Sequence, residues 1–229
     1  MKEQKKGKLI AIEGLDGSGK TVQWKMLGQY LKDNGFGVKF VDFPQYSNAS
    51  AGLINNYLRD IYGPANSVSP FASSLFYALD RFDLAHNVRG NIQNWLENGK
   101  IVLANRYVAS NGGHQGGKIQ DLEELKKFLH WLWDMEFGIL QIPKPDINIF
   151  LDVPFEIGKT LREKRVTTFR DAHESDEQHL ISAERAYRIM IKEFPNDFVV
   201  IECVENEKLL SVEEIHKKVV KVVSERLGL

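Results

Sequence analysis

The chain has 229 residues, of which 43% are hydrophobic and 27% are charged, as in ordinary globular proteins and unlike disordered or fibrous ones. Its 30 Lys and Arg side chains are balanced by 31 Asp and Glu side chains, so no overall charge attracts nucleic acid or an anionic membrane. We therefore expect neither as a partner, and a negatively charged substrate requires a local cluster of cations.

The N-terminus and the apolar runs predict a cytoplasmic protein. Residues 1–8 are charged and contain no apolar region like that of a signal peptide, and no apolar run is long enough to span a membrane. The single cysteine, Cys203, excludes an intramolecular disulfide framework. It lies in an apolar run at 198–204, which favours a buried strand residue over the alternative of a catalytic thiol.

Short runs rich in β-branched residues alternate with longer segments of helical periodicity. The predicted strands are 8–13, 38–43, 100–104, 146–153 and 197–204. The predicted helices are 20–34, 51–62, 70–98, 121–137, 154–165, 176–194 and 211–227. The strands are apolar almost throughout, as in parallel strands covered on both faces. We therefore predict an α/β fold, a doubly wound five-stranded parallel sheet with right-handed crossovers, formed by one domain over 1–229.

The segment 162–177, REKRVTTFRDAHESDE, interrupts this alternation because it is dense in charge and poor in apolar spacing. Two interpretations stand, a solvated loop and a mobile lid that brings arginines over bound phosphates. Its position after the helix that follows the fourth strand favours the lid.

The segment 14–21, GLDGSGKT, matches the phosphate-loop pattern G-x-x-x-x-G-K-[ST], with an apolar strand before it and a helix after it. Its glycines permit a turn whose backbone N–H groups form an anion-binding concavity at a helix N-terminus. Lys20 would reach the β- and γ-phosphates of ATP, and the Thr21 hydroxyl would bind Mg²⁺. The predicted ATP-binding residues are Gly14, Leu15, Asp16, Gly17, Ser18, Gly19, Lys20 and Thr21. A P-loop NTPase fold follows, and the absence of an N-K-x-D motif disfavours a GTPase.

Four further blocks accompany the phosphate loop: DFPQY at 42–46, LFYALDR at 75–81, NRYVASN at 105–111 and RDAHE at 170–174. In their order and spacing the chain resembles thymidylate kinases over nearly its whole length. The resemblance implies an ATP-dependent enzyme that phosphorylates dTMP to dTDP in dTTP biosynthesis, uses Mg²⁺ and forms a homodimer.

The helical block implies a site for the acceptor base. Tyr77 and Arg81 are four residues apart and so project from one face of a helix. By resemblance, Tyr77 stacks on thymine, where phenylalanine is the commoner residue, and Arg81 reaches a carbonyl of the base. The alternative is that Tyr77 lies in the core and Arg81 forms a surface ion pair with Asp80 or Asp83.

The block after the third strand lies at the carboxyl edge, where open α/β sheets bind ligands, and is predicted to be a loop. The planar guanidinium of Arg106 suits bidentate contact with the acceptor's phosphate. By resemblance, this loop contacts phosphate, deoxyribose and base through Ser110, Asn111, His114 and Gln115. His114 would disfavour a ribose 2′-hydroxyl, and the alternative for it is a solvated loop histidine.

Other contacts to the acceptor are likewise implied by the resemblance. Asp16 would face the sugar 3′-hydroxyl and the Mg²⁺ region, so that Thr21 and, through water, Asp16 form the predicted metal site. Phe43 and Pro44 would shape the acceptor pocket, and Tyr46 falls where relatives place a phosphate-contacting residue.

One residue departs from the family pattern, because D-R-[YH] reads N-R-Y at 105–107. The family's aspartate helps to hold the water shell of the metal, and Asn105 lacks its charge, which at 4 Å is worth about 4 kcal/mol at an effective dielectric of 20. Another carboxylate (Asp16, Glu13 or Glu174) could take this role, the enzyme could be slow, or the chain could bind nucleotides without turning them over. We favour the first explanation because the other blocks are intact.

The resemblance also implies that the lid supplies catalytic arginines, since the phosphate loop contains none. Arg165 and Arg170 are the candidates, acting with Lys20 and Arg106, and His173 and Glu174 would close over the acceptor. No general base is needed, because a phosphate oxygen is already nucleophilic at neutral pH.

Two rival functions remain open from the sequence: another nucleoside or nucleoside monophosphate kinase of the same fold, and a non-catalytic nucleotide-binding module. For the homodimer, the helix 70–98 and the segment with Trp131 and Trp133 offer apolar faces, with core packing as the alternative. Adenine contacts are expected near 204–208.

Overall fold

The fold is that of a computed structural model, which describes residues 6–88, 90–164 and 177–228, with the side chains of 162–164 excluded. Its sheet contains β1 (Lys8–Glu13), β2 (Val38–Asp42), β3 (Ile101–Asn105), β4 (Ile147–Asp152) and β5 (Phe198–Glu202). The strands are parallel, in the order β2-β3-β1-β4-β5. The predicted five-stranded parallel sheet is confirmed, and each predicted strand lies within two residues of the observed one.

The central strands are buried on both sides, which explains why their sequences are apolar runs rather than alternating patterns. Successive residues enter opposite halves of the core because side chains alternate along a strand. One half contains Leu9, Ala11, Val102, Ala104 and Phe150, and the other contains Ile10, Ile12, Leu103, Ile149 and Leu151.

Helices cover both faces of the sheet. They are α1 (Lys20–Asp33), α2 (Gly52–Leu58), α3 (Pro70–His86), α4 (Ile92–Glu97), α5 (Val108–Gly116), α6 (Leu122–Trp133), α7 (Phe155–Lys164), α8 (Glu177–Glu193) and α9 (Val212–Leu227). A short antiparallel pair, β6 (Val204–Glu205) and β7 (Lys208–Leu209), precedes α9. None of the helices in the described ranges has the length and apolar character needed to cross a membrane.

The prediction of one helix over 70–98 was wrong. The backbone turns to an extended conformation at Asn87, with ψ 126°, so α3 ends at His86. Helix α4 then starts anew, because the Asn91 side chain accepts a hydrogen bond of 2.6 Å from Asn94 N and so caps its N-terminus.

The prediction of a loop after the third strand was also wrong, since residues 108–116 form α5. The segment is rich in glycine, which lowers intrinsic helix propensity. Tertiary packing overrides that propensity: Gly112, Gly113 and Gly116 face neighbouring helices so closely that an added Cβ would overlap Met190, Tyr187 and Leu125, respectively. The glycines therefore allow α5 to lie directly against α8 and α6.

Cys203 is buried immediately after β5, as expected for a structural residue. Its Sγ donates to the carbonyl of Ile201 at 3.3 Å. Burial raises the pKa of the thiol to about 12, so it stays protonated at neutral pH, and the catalytic-thiol alternative gains no support.

We predict that Gly113→Ala destabilises the protein even though alanine favours a helix by about 1 kcal/mol. The new methyl group would overlap the ring of Tyr187, whose hydroxyl is held by Ser110 at 3.1 Å, and such overpacking costs about 1 to 3 kcal/mol. Urea unfolding measures the change, and Gly52→Ala, where an added Cβ meets no atom within 4 Å, is the control. Equal stability of the two variants would contradict the prediction.

Candidate active site

A cavity of about 560 Å³ opens at the carboxyl edge of the sheet, within the size range of small-molecule sites. The predicted site residues that line it are Asp16, Gly17, Ser18, Gly19, Lys20, Thr21, Phe43, Pro44, Tyr46, Tyr77, Arg81, Arg106, Ser110, Asn111, His114 and Gln115. Gly14 and Leu15 are not among the lining residues. Arg165, Arg170, His173 and Glu174 lie outside the described residues, so the predicted lid roles stay predictions.

The phosphate loop connects β1 to α1 through left-handed glycine conformations, with φ 146° at Gly14, 86° at Gly17 and 82° at Gly19. No side chain caps the N-terminus of α1, which leaves its first N–H groups and its dipole for an anion. Lys20 is buried and donates to Leu15 O at 2.7 Å. The loop therefore has the geometry of a phosphate cradle with its lysine folded against it.

Arg106 follows β3 with φ 63°, a left-handed conformation that is costly for a residue with a side chain. Buried Glu13 fixes this turn, because its carboxylate accepts hydrogen bonds from Tyr107 N at 2.7 Å and Ser110 Oγ at 2.6 Å. Arg106 N also donates to Ile12 O at 3.1 Å. These bonds hold the start of α5 against β1 and place the Arg106 side chain on the cavity wall.

The guanidinium of Arg106 forms an ion pair with Asp16 and contacts His114 Nε2 at 3.2 Å. Burial lowers the pKa of Arg106, but Asp16 together with Glu13 and the hydroxyls of Tyr187 and Tyr46 outweighs this effect, so the net pKa is raised and the group stays cationic. Asp16 also lies 3.8 Å from Lys20. This carboxylate is thus shared between the two cations that the phosphates of donor and acceptor would meet.

Arg81 is buried in an ion pair with Glu136, whose exposure is 0%. Its Nε donates to Glu136 Oε2 at 2.6 Å, and a second nitrogen donates to Oε1. The alternative of a surface ion pair with Asp80 or Asp83 was therefore wrong in partner and in location. Asp80 instead accepts from Gln45 N at 2.8 Å.

Sequence reasoning missed Glu136. It follows α6 within a π-helical segment, Asp134–Ile139, where the prediction was a plain helix over 121–137. Such widened turns recur at functional sites because they re-aim a side chain. The sequence carries no separate signal for it, since a lone glutamate among apolar residues at a helix end has many possible partners.

Two amide side chains beside the ion pair have their orientation set by their partners. Asn111 donates through Nδ2 to Glu136 Oε1 and to Ser74 O, both at 3.1 Å, which turns its Oδ1 the other way. Within the described part of the chain, no donor reaches this buried oxygen. Gln115 Oε1 accepts from Ser73 Oγ at 2.7 Å, which leaves its amide nitrogen as the outward group. Together with the half-buried ring of Tyr77, they form a subsite for a flat polar ring.

The carboxyl ends of β2 and β3 meet beside Thr21. Asp42 and Asn105 are paired in register, and Asn105 Nδ2 donates to Asp42 Oδ1 at 2.9 Å and to Thr21 Oγ1 at 3.3 Å. Among the described residues, no donor reaches Asn105 Oδ1. Desolvation raises the pKa of Asp42, and the hydrogen bond from Asn105 opposes this shift. Sequence reasoning considered other carboxylates and missed Asp42, although it closes a strand next to β3.

These groups fit Mg²⁺, which prefers hard oxygen ligands and keeps several waters. The Thr21 hydroxyl and the Asp42 carboxylate both line the cavity here, and the amide nitrogen of Asn105 is hydrogen-bonded to both. In the described ranges, no group of three or more His, Cys, Asp or Glu side chains could hold a metal ion by itself. A metal at this place would therefore depend on phosphate oxygens for part of its coordination.

One part of the cavity lining is apolar and consists of Leu209, Leu210, Val212 and Ile215. These residues lie between β7 and the first turn of α9, directly after the segment 204–208 where adenine contacts were predicted. The surroundings suit a purine ring, and the adenine contacts themselves stay a prediction.

We predict that Glu136→Gln lowers the free energy of unfolding by about 3 kcal/mol, because it leaves the Arg81 guanidinium as a buried charge without its counter-charge. The measurement is urea unfolding at neutral pH. The matched control is Glu123→Gln, which removes an exposed partner of Lys126 and should leave stability unchanged. If both variants unfold like the unaltered protein, the ion pair contributes no stability.

Comparison with known proteins agrees with this geometry. A family model described as thymidylate kinase matches residues 12–219. The thymidylate kinase of Thermoanaerobacter sp. (strain X514) is 33% identical over 97% of this chain and 100% of its own length. A probable thymidylate kinase of Pyrococcus abyssi is 28% identical over 98% of this chain and 100% of its own. The solved thymidylate kinase structure from Candida albicans has a TM-score of 0.73 at 22% identity and covers 97% of this chain and 93% of that one. This chain therefore belongs to the thymidylate kinase family.

Proposed function

We propose that this chain transfers the γ-phosphoryl group of ATP to dTMP, giving ADP and dTDP, with Mg²⁺ bound alongside ATP. The observation that carries the proposal is that one cavity contains the phosphate loop at one side and Arg106 with the Tyr77, Asn111 and Gln115 subsite at the other. Family membership supports the same substrate pair.

The chemistry requires positioning and charge neutralisation rather than a covalent intermediate. Lys20 and the N–H groups at the start of α1 bind the phosphates of the donor. Arg106 binds the phosphate of the acceptor, one of whose oxygens attacks the γ-phosphorus as ADP leaves. Thr21 would help to hold Mg²⁺, which when bound would neutralise charge on the donor phosphates.

When the acceptor binds, its phosphate replaces the Asp16 carboxylate as the anion that contacts Arg106. In the described structure Arg106 is paired with Asp16, and a phosphate that arrives offers two oxygens to the planar guanidinium. The carboxylate is then released toward the sugar and the metal region. Asp16 would therefore take its predicted role, facing the sugar 3′-hydroxyl and the Mg²⁺ region, only after the acceptor has bound.

The base subsite favours thymine over cytosine for a physical reason. Thymine N3 carries a hydrogen that Asn111 Oδ1 can accept, and a carbonyl of the base can accept from Gln115 or Arg81. Cytosine presents an acceptor at N3, which would face the oxygen of Asn111 and leave both groups without a donor. Tyr77 contributes its ring face to either base.

The proposal is tested with a coupled assay of ADP release over dTMP, dUMP, dCMP, GMP and thymidine. We expect dTMP to be turned over best, dCMP poorly, and thymidine not at all, because thymidine has no phosphate for Arg106. ATP binding without turnover of any monophosphate would contradict the proposal and indicate a nucleotide-binding module.

We predict that Arg106→Lys lowers kcat/KM for dTMP by about 10-fold to 100-fold, because lysine keeps the charge and loses the bidentate fork. The affinity for an ATP analogue should stay within about twofold, since Arg106 is assigned to the acceptor. Arg188→Lys, an exposed arginine of α8 paired with Asp152 and Glu184, is the control. Unchanged dTMP kinetics in the Arg106 variant would remove Arg106 from the acceptor site.

We further propose a homodimer through α3. This helix exposes Phe71, Leu75, Leu79 and Phe82 at spacings of four, four and three residues, each 40–45% exposed. Large side chains at these spacings form one apolar stripe, which a protein in water buries against a partner. In the tryptophan segment, Trp133 is 7% exposed and stacks on Phe194 at 4.4 Å, whereas Trp131 is partly exposed and packs on Phe71 at 4.7 Å, so it adjoins this stripe.

We predict that Leu79→Glu converts the dimer to a monomer, because it places a charge in the centre of the stripe. Size-exclusion chromatography with light scattering at micromolar concentration measures the mass. Leu122→Glu, at an equally exposed leucine that begins α6, is the control and should stay dimeric. A mass of about 26 kDa for the unaltered chain, whose own mass is 26.2 kDa, would contradict the dimer.

A further inference from the structure

The family's aspartate at the end of the third strand is replaced here by Asn105, so the metal region lacks a carboxylate at that point. A Mg²⁺ ion bound with ATP keeps most of its waters, and these waters are ordered by nearby anionic acceptors. The question is which group of this chain supplies the missing negative charge.

Of the three carboxylates considered from the sequence, Glu174 lies outside the described residues, and the other two are already engaged elsewhere. Asp16 is paired with Arg106 and lies near Lys20. Glu13 is fully buried and accepts hydrogen bonds from Tyr107 N, Ser110 Oγ and, at 3.4 Å, the Tyr187 hydroxyl. Glu13 is also not among the residues that line the cavity.

Two further carboxylates, at the end of β4 and on α3, are engaged as well. Asp152, at the end of β4, accepts from Arg188 at 3.1 Å. Asp80, on α3, accepts from Gln45 N at 2.8 Å and from Ser50 Oγ at 2.6 Å. Neither of them is hydrogen-bonded to Thr21 or Asn105 in the described structure.

Asp42 differs from these carboxylates in its position. It is the last residue of β2, it lines the cavity, and it is solvent-exposed. The parallel register sets it directly opposite Asn105, on the strand next to the one that carries the family's aspartate. Adjacent strands are about 4.8 Å apart, so the charge is displaced by one strand spacing.

Asn105 connects this carboxylate to the phosphate loop. Its Nδ2 donates to Asp42 Oδ1 and to Thr21 Oγ1, the hydroxyl predicted to contact the metal. Both partners are oxygens, which fixes the amide with Oδ1 on the opposite side, where no donor of the described residues reaches it. An aspartate at 105 could not make this bridge, because two carboxylates would then face each other.

We propose that Asp42 carries the negative charge of the magnesium site in this chain, acting through metal-bound water, and that Asn105 positions it through the hydrogen bond from Nδ2. The inference rests on the proposed function for the presence of Mg²⁺ with ATP. On this inference, the carboxylate of Asp42 on β2 offsets the negative charge that is lost at Asn105 on β3. The chain therefore remains suited to the turnover of dTMP.

The test measures metal-dependent nucleotide binding, without dTMP and without turnover. Isothermal titration gives the affinity for a non-hydrolysable ATP analogue with Mn²⁺ and with EDTA, and the ratio of the two is the metal enhancement. We expect Asp42→Asn to weaken binding with Mn²⁺, and so to lower this enhancement by about 10-fold to 100-fold, and not to weaken binding with EDTA. The control Asp33→Asn removes an equal charge at the far end of α1 and should match the unaltered chain.

A charge exchange tests the position of the carboxylate. The double variant Asp42→Asn/Asn105→Asp restores the family's arrangement, and we expect it to recover most of the metal enhancement. The inference would be overturned if Asp42→Asn had the same metal enhancement as the unaltered chain. It would also be overturned if the metal enhancement of the double variant were as low as that of Asp42→Asn. Either result concerns only the role of Asp42 and leaves open whether the unaltered chain turns over dTMP. Conversely, the metal enhancement can be measured even if no dTMP is turned over. The proposed function and the role of Asp42 can therefore fail independently.

Discussion

A single buried carboxylate, that of Glu13, determines the geometry of the acceptor side. Burial raises its pKa, and the hydrogen bonds from Ser110 and the Tyr107 backbone oppose that shift. By holding these donors, Glu13 keeps Arg106 in a left-handed conformation that an isolated chain would avoid. The carboxylate lies at the end of β1, the same strand that leads into the phosphate loop, so the two halves of the cavity are built on one rigid element.

The site contains two ion pairs: one lies in the cavity, where a substrate phosphate can displace its carboxylate, and the other is buried, where it cannot. Arg106 and Asp16 line the cavity, and a phosphate can replace the carboxylate. Arg81 and Glu136 are sealed from solvent, and a pair of this kind contributes more to orientation than to net stability. Glu136 also accepts from Asn111 Nδ2 and so fixes this amide, whose Oδ1 is left without a donor among the described residues. A chain with almost no net charge thereby places two cations, Lys20 and Arg106, in one cavity, where they share the carboxylate of Asp16.

The sequence predicted the features that depend on local chemistry. Strand β1, the phosphate loop and the start of α1 are encoded in consecutive residues, and the structure has them at the predicted positions. Helix α5 was missed because its glycines oppose a helix locally and are explained only by the closeness of Tyr187. Glu136 and Asp42 were missed because their importance comes from partners 55 and 63 residues away, Arg81 and Asn105. Strand order, which the pattern of apolar runs does not specify, is what brings Asp42 beside Asn105.

The central claim is that Arg106 exchanges Asp16 for the phosphate of dTMP while Asn111 receives the base. A crystal structure with dTMP, a non-hydrolysable ATP analogue and Mg²⁺ tests it most directly. We expect the Arg106 guanidinium to contact two oxygens of the dTMP phosphate, Asp16 to have left it, and Asn111 Oδ1 to lie within hydrogen-bonding distance of thymine N3. A complex in which Arg106 still pairs with Asp16 while dTMP is bound elsewhere would contradict it.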